Sequence, residues 1–227
     1  MKRVNVVCEG QSEMYFVKKV LAKYYPDGNP VLDARCVLTS RDRKTNHVYR
    51  GGLSNYQKAW KDIEQWIKQD SGAFVSTMFD FYALPQDFPG YTEAQREPDH
   101  LKRTLYMEQA LKDDIIKRLP DFPPDRFIPY IQLHEFEALF FTDIRVLTSE
   151  YQEWQPQIDQ LYRETVQLAP EEINDGPKTA PSKRIQGAVP IYKKGEAAAD
   201  LLENINVPEL RKKCPHFSHW LKQLESI

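Results

Sequence analysis

Strand-like segments alternate with helical segments through the first 143 residues, and this alternation limits the folds that the chain can adopt. Short runs rich in β-branched and aromatic residues predict buried strands, and apolar residues at helical spacing predict helices that pack on them. Strands connected by helices form a mostly parallel sheet with helices on both faces. We therefore predict an α/β fold with a mostly parallel four-stranded sheet, whose strands lie at residues 3–8, 31–39, 73–79 and 127–133.

The chain beyond residue 150 has a different pattern. Its apolar residues recur at helical spacing, as in Trp154, Ile158 and Leu161. A long polar stretch at residues 173–195 precedes the last helical segment, and a loop of that length is usually functional or mobile. We therefore predict two parts, an α/β domain at residues 1–150 and a mainly helical extension at residues 151–227 that packs on it.

Composition argues against several classes of protein. The 227 residues carry a net charge of −2, and no apolar run reaches the roughly 18 residues that a membrane span needs. The N-terminal residues show no secretory signal, and the three cysteines are too widely spaced for a zinc site or a disulfide framework. A cytoplasmic protein is therefore expected. No Walker loop is visible, so we do not expect this chain to hydrolyse ATP by itself.

Acidic residues follow three of the predicted strands. Glu9 follows the first strand, Asp80 the third, and Glu135 and Glu137 the fourth. Because parallel strands end at one edge of the sheet, where ligands bind, we expect these side chains to meet. Carboxylates that close repel one another and raise each other's pKa, and a bound Mg²⁺ or Mn²⁺ would relieve the repulsion. The pattern predicts a metal site, to which Glu13 also contributes.

Each of these acids also has a purely structural interpretation. Asp and Glu are common where strands end, since the loops there are solvated. Glu13, in the first turn of a predicted helix, could simply complement the helix dipole. Both interpretations stay open for any single acid, and the coincidence at three strand ends is what favours a site.

Two basic stretches could bind phosphate. Residues 1–50 carry ten Lys and Arg against five Asp and Glu, and five basic residues with no acid lie between Lys178 and Lys194. Such clusters attract nucleic acid, although solvated loops are an equal alternative. The charges provide no pattern for reading bases, so weak sequence preference and strong salt dependence are expected. The predicted nucleic-acid contacts are Arg41, Arg43, Lys44, Lys183 and Arg184.

Two uncharged side chains are candidate auxiliary residues. His134 lies where the fourth strand meets the next helix, and it could transfer a proton or contact a metal through water. It could equally satisfy backbone groups there. Tyr82 could stack on a base, or it could pack in the core as aromatic residues after buried strands usually do.

The stretch EGQSE, Glu9–Glu13, resembles the opening motif of the Toprim fold. Topoisomerases, bacterial primases, small nucleases and the nucleases linked to ATPases of the overcoming-lysogenization-defect type share that fold. More specifically, MFDFYALPQDFPG (78–90), YIQLHEFEALFF (130–141) and INDGPKTAPSKRI (173–185) resemble signatures of a prokaryotic Toprim-like family, catalogued as domain of unknown function 4276. With the opening motif, these segments span residues 4–185, which is most of the chain.

The Toprim resemblance implies roles for individual residues. The Glu that Toprim enzymes use for acid–base chemistry and metal binding corresponds to Glu9, and the first Asp of their Asp-x-Asp pair corresponds to Asp80. The second Asp falls on Tyr82, which cannot replace a carboxylate as a metal ligand. The missing oxygen could come from Glu13, Asp87, Glu135 or Glu137, of which Glu137 is preferred. The expected catalytic residues are therefore Glu9, Asp80 and Glu137, with metal ligands among Glu9, Glu13, Asp80, Glu135 and Glu137.

The expected function is that of a Mg²⁺-dependent nuclease that cleaves phosphodiester bonds. The resemblance further implies an ATPase partner and a role in defence against phage. The alternative is a non-catalytic Toprim-like module that binds or regulates an ATPase, and the absence of the second Asp favours it. Nucleotidyl transfer, as in primases, is a third possibility with similar metal chemistry.

Overall fold

The computed structural model describes residues 1–41, 48–50, 52–173, 176 and 179–227. Its strands form one larger parallel sheet and a small antiparallel pair, β3 with β4. The larger sheet has the order β2-β1-β5-β6, and β7 also pairs with β5. The strands are β1 (Arg3–Cys8), β2 (Val31–Cys36), β3 (Leu38–Arg41), β4 (Val48–Arg50), β5 (Phe74–Asp80), β6 (Phe127–Ile128) and β7 (Ile131–Gln132).

The prediction of a mostly parallel sheet is confirmed, but the sheet has five strands instead of four. The predicted fourth strand is divided into β6 and β7 around Pro129, which has no N–H to donate to a sheet. The Thr77 hydroxyl lies 2.9 Å from both the N and the O of Tyr130, so a side chain replaces the backbone pairing there. Both short strands therefore remain attached to β5.

Helices cover the sheet and form most of the C-terminal half. A π-helical turn, Phe16–Leu21, joins α1 to α2, and a 3₁₀-helix, Phe136–Thr142, follows β7. In the described parts of the chain, no helix combines the length and the apolar character needed to cross a membrane. The helices are α1 (Gln11–Tyr15), α2 (Ala22–Tyr24), α3 (Tyr56–Gln69), α4 (Tyr91–Ala94), α5 (His100–Arg118), α6 (Gln155–Thr165), α7 (Pro181–Ala188), α8 (Glu196–Leu202), α9 (Val207–Lys213) and α10 (Pro215–Glu225).

The segment 173–195 is not the continuous polar loop that its composition predicts, because it contains α7. Proline occupies the first helical position, and Ile185 is buried in the core. The eight residues of α7 are too few to show a repeating apolar pattern, which is why the sequence signal is weak. The N–H of Ser182, in the first turn of this helix, donates to Oε2 of Glu135, which ties the helix to the segment that follows β7.

Two apolar cores lie on opposite faces of the sheet. Successive strand residues point to opposite faces, so Val6 joins one core and Val7 the other. The first core contains the helices after β1 and the C-terminal helices, and the second contains α3 and α5. These helices hold the sheet edge in a fixed position.

The C-terminal helix α10 packs into the first core. Trp220 stacks on Tyr130 with ring centroids 4.4 Å apart, and its indole N–H donates a hydrogen bond to Oγ of Ser76 at 2.9 Å. Ser76 belongs to β5, in the centre of the sheet. The C-terminal segment thus contributes to the same core as the sheet, while the boundary at residue 150 stays a prediction.

Candidate functional site

Glu9 and Asp80 meet at the carboxyl edge of the sheet. Glu9 follows β1 and Asp80 ends β5. These two strands are parallel neighbours in which Cys8 is paired with Met78. The ladder continues one step further, since the N–H of Glu9 donates to O of Met78 at 3.1 Å. The N–H of Asp80 in turn donates to Oε2 of Glu9 at 3.2 Å. The parallel register therefore brings together the two residues that the sequence predicts to be central.

Glu13 lies against the same group. Its Oε2 accepts a hydrogen bond from the N–H of Gly10 at 3.0 Å, which turns the buried side chain back toward the end of β1. A Cβ atom at residue 10 would lie 3.0 Å from that oxygen, so only glycine allows this approach without displacing Glu13. The turn between β1 and α1 thus explains the spacing of the two glutamates in the EGQSE motif.

Glu137 joins the acids from the 3₁₀-helix after β7. Its side chain is 1% exposed, and its Oε2 forms an ion pair with Nζ of Lys194 at 3.0 Å. The Tyr192 hydroxyl also lies 3.4 Å from Oε1 of Glu137. Glu9, Glu13, Asp80 and Glu137, together with Lys194, are called the acidic cluster below.

Lys194 is a member of this cluster that no local pattern in the sequence predicts. It is the last of the basic residues in the stretch that ends before Gly195, and nothing in its spacing relates it to the strand ends. The N–H of Gly195 donates to Oγ of Ser12 at 2.8 Å, which ties the segment to the start of α1. Tertiary contact alone therefore brings the ammonium to the acids.

Burial raises the pKa values of the clustered acids. The pKa of Glu9 rises from 4.5 to about 7 through burial, although the Asp80 N–H opposes the shift. Burial and then repulsion from Glu9 raise the pKa of Glu13 to about 8. Burial, followed by the charges of Glu13 and Glu9, also raises the pKa of Asp80 well above its ordinary value. The cluster therefore retains protons near neutral pH.

Lys194 offsets part of this repulsion. Burial raises the pKa of Glu137, and the nearby ammonium of Lys194 limits the rise. Burial disfavours the charged ammonium, but the combined attraction of Glu137, Glu135 and Asp80 outweighs it and raises the pKa of Lys194 to about 12. The ammonium thus stays charged at physiological pH and supplies a positive charge among the acids.

Glu135 lies beside the cluster, with its carboxylate held by a different element. Its Oε2 accepts a hydrogen bond from the N–H of Ser182, in the first turn of α7, at 2.9 Å. Its negative charge still contributes to the raised pKa of Glu9 and to the raised pKa of Lys194. Asp87 accepts the N–H of Tyr56, at 3.0 Å, at the start of α3.

His134 is buried and Tyr82 is exposed. His134 adopts a left-handed backbone conformation with a φ of 65°, and its Nε2 lies 2.9 Å from O of Glu171. That carbonyl accepts the Nε2 proton, and burial lowers the pKa of His134 to about 4, so the ring is neutral. The prediction that this histidine satisfies backbone groups agrees with these contacts. Tyr82 is 41% exposed and does not belong to the core.

The predicted nucleic-acid contacts lie in two places. Arg41 ends β3, while Arg43 and Lys44 lie outside the described residues. Lys183 and Arg184 lie in α7, close to Glu135. The Lys183 side chain is exposed, and Nε of Arg184 donates to O of Thr179 at 2.8 Å. The described part of the chain therefore places the second group near Glu135. It also places Gly52, which follows β4, against Glu9, since the N–H of Gly52 donates to O of Glu9 at 3.0 Å.

The acidic side chains of the cluster are of the type that binds hard cations. All its acidic side chains offer carboxylate oxygens, and the buried Oδ1 of Asp80 has no hydrogen-bond partner among the described residues. Within those residues, however, no three His, Cys, Asp or Glu side chains are already grouped to hold a metal ion. Glu9, Glu13 and Glu137 instead bind N–H groups or Lys194. A cation would have to replace some of these donors.

A comparison with protein families shows a match over nearly the whole length of the chain. A family model described as domain of unknown function (DUF4276) matches residues 8–225, which is nearly the whole chain. The match begins just before Glu9 and includes every member of the acidic cluster. Neither a curated protein nor a solved structure shows a significant match to this chain.

Proposed function

The chain belongs to the family described as domain of unknown function (DUF4276), and we propose that it is a metal-dependent enzyme that cleaves phosphodiester bonds in nucleic acid. One observation carries the proposal. Four acids from three separate segments converge at the carboxyl edge of a parallel sheet, and Oδ1 of Asp80 is buried without a partner in the described chain. Ligand sites of open α/β sheets lie at this edge.

Glu9, Glu13 and Asp80 would hold Mg²⁺ or Mn²⁺, and Glu137 would complete the set of oxygen ligands. A bound divalent cation would polarise the phosphate and lower the pKa of an attacking water. The Toprim resemblance of the opening motif, together with the parallel sheet that follows it, supports this assignment. Few protein ligands are needed, since Mg²⁺ usually keeps several waters and binds the phosphate of its substrate.

Glu9 and Lys194 have complementary roles in the proposed reaction. Glu9 would act as the general acid or base, the role that the Toprim resemblance implies for it. The ammonium of Lys194 lies among the acids and remains charged, so it can stabilise negative charge that develops on the phosphate. Lys183 and Arg184 would hold the nucleic-acid backbone beside the cluster.

The wider setting of the activity follows from the Toprim resemblance. We propose a cytoplasmic protein that works with an ATPase partner in defence against phage. The buried free cysteines, Cys8, Cys36 and Cys214, agree with a reducing compartment. In the isolated chain Lys194 is paired with Glu137 of the acidic cluster. A requirement for the partner would explain why this cation lies among the acids when the chain is alone.

A non-catalytic module is the second candidate function. The pairing of Glu137 with Lys194 favours it, because the protein supplies its own cation to the acids. In this case the cluster would hold α1, the 3₁₀-helix after β7 and the segment before α8 together. The two candidates differ in whether the acids are needed for chemistry.

A cleavage assay separates the two functions. Plasmid DNA, single-stranded DNA and transfer RNA are incubated with the wild type in Mg²⁺ or Mn²⁺, and again with Glu9→Gln and Asp80→Asn. The enzyme hypothesis expects roughly 10²-fold or greater loss in both variants, as for removal of a general acid or base. Asp113→Asn, an exposed residue on α5, is the matched control and should retain activity. Metal-dependent cleavage that survives both substitutions would contradict the assigned site.

A further inference from the structure

Tyr82 presents its ring to solvent directly beside the acidic cluster. It lies in the 3₁₀-turn Phe81–Ala83 that follows Asp80, and it is exposed whereas the neighbouring Phe81 is buried. The N–H of Tyr82 donates to O of His134 at 3.1 Å, which fixes the turn against the segment that follows β7. The position of this ring is therefore set by the same strand ends that position the acids.

The ring of Tyr82 packs against that of His134 at an interplanar angle of 39°, and His134 in turn meets His100 edge to face. The centroids of Tyr82 and His134 lie 5.6 Å apart, and those of His134 and His100 lie 5.1 Å apart. His134 is 1% exposed and held through Nε2 by O of Glu171, so it cannot move away easily. A rigidly backed ring loses little conformational freedom when a ligand stacks on it, which favours binding.

The open side of Tyr82 lines a pocket of about 290 Å³. The other lining residues are Glu135, Gly176, Ala180 and Lys183. This volume is just below the roughly 300–1,000 Å³ typical of small-ligand sites, so it suits a single ring system. The pocket combines the ring of Tyr82, the exposed side chain of Lys183 and the acidic residue Glu135. The ammonium of Lys183 donates to Oε1 of Gln186 at 3.2 Å and would exchange this neutral partner for a phosphate. A nucleotide offers the matching groups, namely a flat base with N–H donors and an anionic phosphate.

We propose that this pocket binds one unpaired base of a nucleic-acid strand, so that single-stranded nucleic acid is the substrate class. The base stacks on Tyr82, and its backbone passes Lys183 toward the acidic cluster. Bases in a duplex are already stacked and paired, so their faces cannot reach Tyr82 unless the strand opens. This proposal rests on the proposed function only where it concerns cleavage of the phosphate. Stacking of the base on Tyr82 needs no metal.

Binding measured in EDTA tests this proposal without any cleavage. Fluorescence anisotropy compares labelled oligothymidylate with the same strand in a duplex with oligoadenylate, and with an abasic oligomer that keeps the phosphates but has no bases. Oligouridylate forms the RNA arm. Aromatic stacking on one base corresponds to roughly tenfold in affinity. The wild type should therefore bind the single strand about tenfold more tightly than the duplex or the abasic oligomer.

Variants at Tyr82 identify the stacking ring. Tyr82→Ala should lose about tenfold in affinity for the single strand and little for the abasic oligomer, whereas Tyr82→Phe should bind like the wild type. Tyr106→Ala removes another exposed tyrosine, on α5, and should leave binding unchanged. The proposal would be overturned if Tyr82→Ala lost the same affinity for both oligomers, or lost none for the single strand. It would also be overturned if the wild type bound the duplex as tightly as the single strand. The cleavage assay with Glu9→Gln reports separately on the nuclease function.

Discussion

The backbone N–H of Asp80 donates a hydrogen bond to Oε2 of Glu9 at 3.2 Å, although 71 positions separate the two residues in the chain. This contact joins the ends of β1 and β5, and Glu13 adds a third carboxyl group through its bond to Gly10. Because these groups are largely removed from water, their charge depends on pH and on any cation nearby. The stability of the protein should therefore report on the state of the cluster.

The free energy of unfolding should fall as pH rises from about 5 to about 8. The raised pKa values of Glu9, about 7, and Glu13, about 8, mean that the folded state binds protons that the unfolded chain releases near 4.5. The stabilisation is thus complete below pH 4.5 and is lost as pH rises through the folded-state values. Each unit of pKa shift corresponds to about 1.4 kcal/mol, so the shift of Glu9 alone corresponds to roughly 3 kcal/mol. The shift of Glu13, which depends in part on the charge of Glu9, adds to this amount.

Urea denaturation at several pH values measures this dependence. The double variant Glu9→Gln, Glu13→Gln cannot titrate at these positions and should show a flatter profile than the wild type. His134, whose pKa is lowered to about 4, acts in the opposite direction below neutral pH in both proteins. The difference between the two profiles therefore reports on the two glutamates and on Asp80, whose raised pKa depends in part on their charges. Identical profiles would rule out the proposed charge states of the cluster.

Divalent cations should raise the melting temperature of the wild type, because a ligand that binds only the folded state stabilises it. Mn²⁺ should act more strongly at pH 8 than at pH 6, since the acids must lose their protons before they bind metal. Asp80→Asn should abolish the effect, whereas Asp113→Asn on the exposed side of α5 should preserve it. An Mn²⁺-induced shift of equal size in Asp80→Asn would place the metal elsewhere.

Lys194→Met should destabilise the protein by about 1–2 kcal/mol at pH 8, with a smaller loss at pH 6. Removing the ammonium leaves Glu137 buried without its ion pair, and at lower pH that carboxyl group takes up a proton more easily. The magnitude is below that of a fully buried pair because half of the Lys194 side chain is exposed.

Lys23→Met is the control for loss of a surface ion pair. Lys23 pairs with Glu203 at 2.6 Å, and both side chains are more than one third exposed. Its substitution should cost less than about 1 kcal/mol at either pH. Denaturation curves in which both lysine variants lose the same stability would show that the Glu137 pair has no special role.

Trp220→Ala should destabilise the protein by about 3–5 kcal/mol, as large-to-small changes of buried aromatic residues do. The indole ring stacks on Tyr130, and its N–H is bonded to Ser76 of the central strand β5. Because α10 shares a core with the sheet, the variant should unfold in one transition at lower urea concentration. Lys222→Ala, an exposed change in the same helix, should have little effect. A contrary result would be that Trp220→Ala removes only a separate transition of the C-terminal segment and leaves the main unfolding transition unchanged. That result would show that α10 unfolds independently of the sheet.

Much of the fold and part of the site are predictable from local patterns. Val-rich strands and helices with apolar spacing predict the parallel sheet, and an acid after β1 and another at the end of β5 must then lie at one edge. The division of the last strand is harder to predict. Pro129 suggests a distortion, but the Thr77 hydroxyl that bridges the gap belongs to a strand far away in sequence.

The sequence by itself determined which residues end the strands, because apolar period is a local property, and helical connections then place those ends at one edge of the sheet. The structure added that β1 lies beside β5, which makes Glu9 and Asp80 neighbours. Only the tertiary structure decided that Lys194 enters the cluster, that Glu135 turns to the start of α7 and that Tyr82 faces solvent. These outcomes depend on how separate segments pack against one another. Packing is a balance of burial, charge and shape over the whole core, and no short stretch of sequence contains it.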